Sequence, residues 1–391
     1  MAVEITTAAS TDVEDLIDDL LMQILLRLPV KSLMRCKLVS KRWKSLINSP
    51  QFCFLHHPDP HPVGLVYCFR WSSGYEYINL DVKNPINPPF TKLMFPGEPF
   101  PFLIQHSCNG LLLCCCSGNY EERLNSCYVY NPTTKCFNKL PTPGIVCEVP
   151  KIVFGVNLAF DHAKFPHYKV VCVRESEVSP ALLQIEIYSA ESGAWRVSGE
   201  PFGDWDWFTF EHGVYWNGSV HWISHRSHEL LYFNVDKECF GKMILPAMVV
   251  CYFGESCDHM HIIESSITKI AFNVYEIKRD YSECFVKYHV DLTTVAAAFP
   301  DMTYMNPFIN RTCYKSYVFS LIRREEEGSF LVLQVSRKAI QFNLHCNTFE
   351  EICDLEDYLK DDYKFEYLST HVHPGSRLPR AFEHIESLAG V

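Results

Sequence analysis

Residues Cys127 to Pro141 read CYVYNPTTKCFNKLP: an apolar and aromatic run, a polar turn at Asn131-Pro132-Thr133-Thr134, then a second short strand. Asparagine and proline suit such a turn because one bonds its own backbone two residues on and the other presets φ. Ile185–Ser198 (IEIYSAESGAWRVS), Leu231–Pro246 (LYFNVDKECFGKMILP) and Ile340–Leu355 (IQFNLHCNTFEEICDL) repeat this plan, and looser copies occupy Tyr77–Leu93 and Phe285–Phe299. The copies recur about every 45–60 residues, a spacing in the range of propeller blades. Ser107–Leu113 and Gly213–Trp222 add Asn-Gly pairs beside apolar strand residues, the turn chemistry of tight hairpins. Six such units predict a six-bladed β-propeller, in which each blade covers its neighbour's apolar face. A pair of β-sandwiches is the competing all-β arrangement.

The segment before these strands has a different period. Asp15 to Phe52 reads DLIDDLLMQILLRLPVKSLMRCKLVSKRWKSLINSPQF. Val13, Leu16, Ile17, Leu20, Leu21, Ile24, Leu25 and Leu28 recur at helical spacing and predict one amphipathic helix that Pro29 ends. Ser32 is expected to cap a second helix carrying Leu33, Cys36 and Val39, and Ser40 a third over Lys41–Asn48 with Trp43, Leu46 and Ile47 inward. Three short helices cannot bury that many apolar groups among themselves. Another domain or another molecule must cover the surplus.

This helical segment resembles an F-box, the motif that docks a substrate receptor on the Skp adaptor of a Skp–cullin–F-box ubiquitin ligase. The match runs through Asp19-Leu20-Leu21, Ile24-Leu25, Arg27 to Leu33, Arg35, Val39-Ser40-Lys41, Trp43, Leu46-Ile47 and Pro50-Gln51-Phe52, and is near the plant form. Ile17 stands where the family usually has the proline of a Leu-Pro pair. The resemblance implies that Leu16, Leu20, Ile24, Leu28, Pro29, Leu33, Val39, Trp43 and Leu46 supply the surface and scaffold that meet the adaptor. The later strings, including YNPTT and LYFNVD, resemble the F-box-associated domain of plant proteins, a kelch-like propeller. The expected division is a flexible N-terminus at 1–10, an F-box at 11–55, a proline-rich linker at 56–63, the β domain at 64–358 and a charged tail at 359–391.

Composition restricts the alternatives. With 35 Lys+Arg against 46 Asp+Glu the formal charge is −11, which repels a polyanion despite the basic stretch from Arg27 to Lys44. Neither a nucleic acid nor a membrane is an expected partner: no stretch nears the roughly 18 apolar residues of a spanning helix. The 18 cysteines fall inside apolar runs without a regular framework, and MAVEITTAAS is no secretory leader. Reduced thiols in an intracellular, soluble protein of the cytoplasm or nucleus are expected, with Cys114-Cys115-Cys116 as core.

Chemistry-bearing patterns are few. Ser189–Trp195 (SAESGAW) approaches a sialidase-type turn motif, with Glu191 in place of aspartate and the tryptophan one residue early. Cys251, Cys257, His259 and His261 could offer zinc ligands, at a spacing that matches no closed zinc motif. No nucleophile elbow, phosphate-cradling loop or H-E-x-x-H is present. The expectation is a non-catalytic receptor with no catalytic residue, metal or cofactor, linked through Skp to cullin and holding a protein substrate. The alternatives are a propeller hydrolase or metal enzyme with a helical cap, and a Skp-binding scaffold outside proteolysis. Candidate substrate-binding residues are Trp205, Asp206, Trp207 and Phe208, with His225 and Arg226, where aromatic and charged groups mix.

Overall fold

The computed structural model describes residues 18–56, 59–68, 74–83, 85–99, 101–116, 126–143, 152–164, 166–203, 208–224, 227–264, 267–307, 309–324, 328–355 and 380–391. Residues 18–25 are helical (α1), followed by α2 Val30–Cys36, α3 Lys41–Ile47 and α4 Pro50–Leu55. Pro29, not Ser32, is the N-cap of α2: its carbonyl accepts from the amides of Ser32 and Leu33, so Ser32 lies inside the first turn and makes no cap. Ser40 caps α3 by accepting from Trp43 N at 3.1 Å, as its position predicts. The fourth helix is an addition to the expected three. Ser49 caps it by accepting from Phe52 N, with proline at its first turn.

The rest is a ring of six sheets. β1 Gly64–Cys68 and β2 Glu76–Asn79 begin the chain's strands. Blade one then comprises β3 Phe102–Cys108, β4 Leu111–Cys116, β5 Cys127–Tyr130 and β6 Phe137–Leu140. Blade two is β7 Val153–Ala159, β8 Lys169–Glu175, β9 Leu183–Ser189 and β10 Ala194–Phe202; blade three is β11 Val214–Trp216, β12 Ser219–Ile223, β13 Glu229–Asn234 and β14 Cys239–Ile244. Blade four holds β15 Val250–Ser256, β16 His259–Glu264, β17 Ala271–Ile277 and β18 Cys284–Asp291. Helix α5 (Thr293–Ala298) and the hairpin β19 Thr303–Asn306 with β20 Arg311–Tyr314 lead to blade five, β21 Ser316–Ile322, β22 Phe330–Val335, β23 Lys338–Asn343 and β24 Phe349–Asp354. Blade six is closed by β25 Arg380–His384, which pairs antiparallel with β1 from Gly64↔His384 to Cys68↔Arg380.

That last strand corrects the reading of 359–391 as a charged tail. Arg380, Glu383 and His384 hide an alternation that buries Phe382 and His384, too short a pattern to stand out by sequence. The looser hairpins also move. No strand pairs with the outer side of β2 among the described residues, and β18 is an outer strand followed by α5; the blade-four hairpin is Ala271–Asp291.

The repeat has a local cause. Asn131 Oδ1 accepts from the amides of Thr133 and Thr134, Asn234 Oδ1 from those of Asp236 and Lys237, and Asn343 Oδ1 from those of His345 and Cys346. Four residues on, Lys135, Glu238 and Asn347 sit at φ 63°, 54° and 53°, each donating its amide to the carbonyl of its asparagine. Blade two does the same from Ser189 to Gly193 at φ 67°. An asparagine-type turn closed by a left-handed residue is therefore the signal that recurs along the chain. The inner hairpins turn at Asn109-Gly110, Asn217-Gly218 and Cys257-Asp258, each with both φ values positive, as type I′ turns require.

Side chains alternate between two neighbouring blades. Along β4, Leu111, Leu113 and Cys115 pack toward blade two, while Leu112, Cys114 and Cys116 pack toward blade six. All six are buried, which is why the run looks uniformly apolar. Separate clusters fill each of the six junctions around the ring. Within blade two the buried Arg174 guanidinium donates to Glu186 Oε1 at 2.8 and 2.6 Å and meets Glu177 at 2.8 Å.

Removing one partner of a buried pair strands the other charge. Arg174→Met is expected to cost about 3–5 kcal/mol, read as a lower urea midpoint. The double change with Glu186→Leu should recover most of that loss.

Candidate functional site

The helical module packs on the ring through one small core. Leu25, Val30, Leu33, Ile47 and Phe52 are buried together with Leu388, which comes from the segment after β25. That segment is fixed in turn. Asn131 Nδ2 donates to Ser387 O at 3.1 Å and to Ala389 O at 2.9 Å, while its Oδ1 serves the turn described above. Gly110, at φ 84°, passes so close that an added Cβ would lie 2.5 Å from that of Ser387. The face bearing the β3–β4 and β5–β6 turns is therefore the face that carries the helices.

Seen from this core, the predicted adaptor residues separate into two sets. Leu33 is fully buried, and Leu28, Trp43 and Leu46 are half-buried against it, so these four form scaffold. Leu20 and Ile24, one turn apart on α1, are 59% and 61% exposed, and Val39 is 64% exposed. Pro29 is exposed at the cap of α2. Leu38, 86% exposed beside Val39, was missed by sequence reading because a leucine next to a helix end gives no periodic signal. Asp18 accepts from Arg42 Nε at 2.7 Å and ties α1 to the start of α3. Leu16 lies outside the described residues.

On the far face, Phe208 forms a β-bridge with Ser224, which joins the bases of the two segments singled out for substrate binding. Trp205, Asp206, Trp207, His225 and Arg226 lie outside the described residues. Next to Ser224 a cavity of about 120 Å³ is lined by Ile223, His228, Leu245, Pro246, Met248 and Val249. Ile244 (81%) and Val249 (57%) are exposed beside it. These loops leave the ends of β12 and β14 opposite the Asn217-Gly218 turn, so they lie on the face away from the helices.

The four zinc candidates do not gather. Cys257 donates to Arg323 O at 3.3 Å and Cys251 to Glu264 O at 3.7 Å. His259 Nδ1 stands 3.0 Å from Glu276, and the buried His261 is 3.7 Å from the same carboxylate, beyond a hydrogen bond. No group of three metal-ligating side chains is placed to hold an ion among the described residues. In the sialidase-like string, Trp195 donates to Pro141 O at 2.7 Å and Glu191 is exposed on the blade-two turn. No helix among the described residues is long and apolar enough to cross a membrane.

The F-box domain family matches residues 13–55, and the F-box associated beta propeller domain matches 78–276. The chain is 32% identical over 413 residues to F-box protein At5g07610 of Arabidopsis thaliana, covering 99% of this chain and 94% of that one. This chain belongs to the plant F-box proteins. Among other Arabidopsis relatives, F-box/kelch-repeat protein At3g23880 is 25% identical over 61% of this chain and 66% of its own length. F-box protein At5g49610 is 26% identical over 59% and 64%. A solved chain of a nidogen/laminin complex covers 83% of this chain at 8% identity and TM-score 0.40, too loose a likeness to carry an argument.

The F-box of this protein is thus completed by Leu388, which no reading of residues 13–55 alone would find. Leu388→Ala is expected to destabilise it by about 2–5 kcal/mol. Hydrogen exchange should speed up over residues 18–55 and stay unchanged in blade three.

Proposed function

We propose that this F-box protein is the substrate-recognition subunit of a Skp–cullin–F-box ubiquitin ligase. The observation that carries the reading is the exposure of Leu20, Ile24, Leu38 and Val39 on a module whose opposite side is already packed. Exposed aliphatic groups that no described part of the chain covers support an interaction surface here. The match to an F-box supports the Skp adaptor as the partner that covers it, with cullin reached through Skp. Leu28, Leu33, Trp43 and Leu46 hold that surface in shape from below, with Pro29 setting the α1–α2 turn.

The protein substrate then belongs on the far face, around Phe208 and the apolar cavity beside Ser224. The proposed substrate residues Trp205, Asp206, Trp207, His225 and Arg226 flank that place in the chain. Adaptor and substrate occupy opposite ends of a rigid ring. The chain contributes no bond chemistry in this reading; it raises the local concentration of substrate lysines near the conjugating enzyme. It acts as an intracellular protein and as an adaptor rather than an enzyme.

Two substitutions separate surface from scaffold. Ile24→Asp and Leu38→Asp should abolish co-purification with a Skp adaptor while shifting stability by no more than about 0.5 kcal/mol. Leu33→Asp should also abolish capture, but by unfolding the helices, visible as lost helical circular dichroism. Undiminished capture by both surface variants would overturn the reading. A scaffold role outside proteolysis predicts capture without ubiquitin transfer to any bound protein in the reconstituted ligase.

A further inference from the structure

Blade one carries two cysteines opposite each other on its middle strands. In the β4–β5 ladder Cys115 is the direct partner of Cys127. The next rung is a hydrogen-bonded one, since Cys116 N donates to Ser126 O at 3.1 Å. Bonded and open rungs alternate in an antiparallel ladder, so Cys115 and Cys127 occupy an open rung, where facing Cα atoms come closest, about 4.5 Å apart. That spacing lies inside the range a disulfide spans, about 4.4–6.8 Å. The side chains use it: the two sulfurs stand 2.7 Å apart. Among the described residues no other two cysteines share a sulfur–sulfur contact of hydrogen-bond length.

The neighbouring thiols compete poorly for this pairing. Cys114 and Cys116 point to the opposite face of β4, toward blade six. Cys115 and Cys127 face blade two, in a cluster that also holds Cys108 and Cys172. Cys108 donates to Phe160 O at 3.3 Å, and Cys172 belongs to β8 in another sheet.

We propose that Cys115 and Cys127 are a modification site, a dithiol that a small disulfide of the glutathione class oxidises to a cross-strand disulfide tying β4 to β5. The step is an exchange. The thiolate of Cys127 attacks one sulfur of the small disulfide, expels the other as a thiolate and becomes a mixed disulfide. The thiolate of Cys115 then attacks the Cys127 sulfur and expels the second small thiolate. One S–S bond of the reagent breaks and one S–S bond of the protein forms. The two protons lost by the protein thiols end on the two small thiols, and the protein gives up two electrons to the reagent. The site is independent of adaptor docking.

Burial decides when the exchange can run. Cys115 is fully buried and Cys127 is 6% exposed. The bond to Cys127 and burial together hold the Cys115 thiol well above its ordinary range, and the thiolate is the form that attacks. Oxidation therefore needs blade one to open, by a local fluctuation or before the ring has closed. Once the blade repacks, the same burial shields the disulfide from reductants. The pair keeps the redox condition under which the blade last opened instead of following its surroundings from moment to moment. Its place gives the lock a consequence. Asn131, just beyond the end of β5, holds Ser387 and Ala389, so tying β5 to β4 fixes the strand that seats the closing segment and, through Leu388, the helices.

The folded full chain is incubated with oxidised glutathione, with and without urea below the unfolding midpoint, and its remaining thiols are alkylated before peptide mass mapping. The expected product is a linked Cys115–Cys127 peptide, formed at least about tenfold faster in urea because access and thiolate both rise on opening. The oxidised chain should unfold at a higher urea midpoint than the reduced one. That rise should vanish in Cys115→Ala and in Cys127→Ala; if one variant fails to fold, the other and the linked peptide decide. Linkage of Cys127 to Cys172, a mixed disulfide that never closes, no linkage even in urea, equal rates with and without urea, or a lowered midpoint after oxidation would overturn the proposal.

Discussion

Everything in this molecule depends on one strand pairing. The ladder between β1 and β25 runs from Gly64↔His384 to Cys68↔Arg380 and turns a curved row of sheets into a ring. Without it blade six has no inner strand, and the junctions it shares with blades five and one lose a wall. The same segment continues past His384 to place Leu388 in the helical core and Ser387 and Ala389 on Asn131. Ring closure and the seating of the F-box are thus two results of one local contact set.

The physics of propellers explains what could be read in advance. The hairpins at Cys127–Pro141, Ile185–Ser198, Leu231–Pro246 and Ile340–Leu355 are all outer pairs of their blades, as the paired strands show. They are legible because their turn chemistry is local: an asparagine, or the Ser189–Gly193 variant, fixes the bend regardless of context. Cys114-Cys115-Cys116 was legible as core for a similar reason, since both faces of an inner strand are covered.

What escaped had non-local causes. Blade four turns at Lys278–Ser282 without an asparagine, so its hairpin was displaced to Phe285–Phe299. The closing strand carries charges because Arg380 and Glu383 line the cavity at the centre of the ring, and a reader of patterns sees a polar tail. The apolar residues of the helical segment stand out in the sequence as one group, but periodicity cannot distinguish a helix's buried stripe from a second, exposed one. Leu33 and Leu20 look alike in the chain; only packing assigns the first to scaffold and the second to surface.

Biosynthesis gives this arrangement a further meaning. Residues 18–55 emerge from the ribosome early, yet their core lacks Leu388 until some 330 residues later. During that interval α1 to α4 have no partner for one side of their apolar surface, and blade six has no inner strand. The helical module and the ring therefore mature together, once residues 380–391 have been made. A chain that stops before its closing strand holds neither a complete helical core nor a closed ring, so the two parts of the molecule share a single checkpoint of completeness.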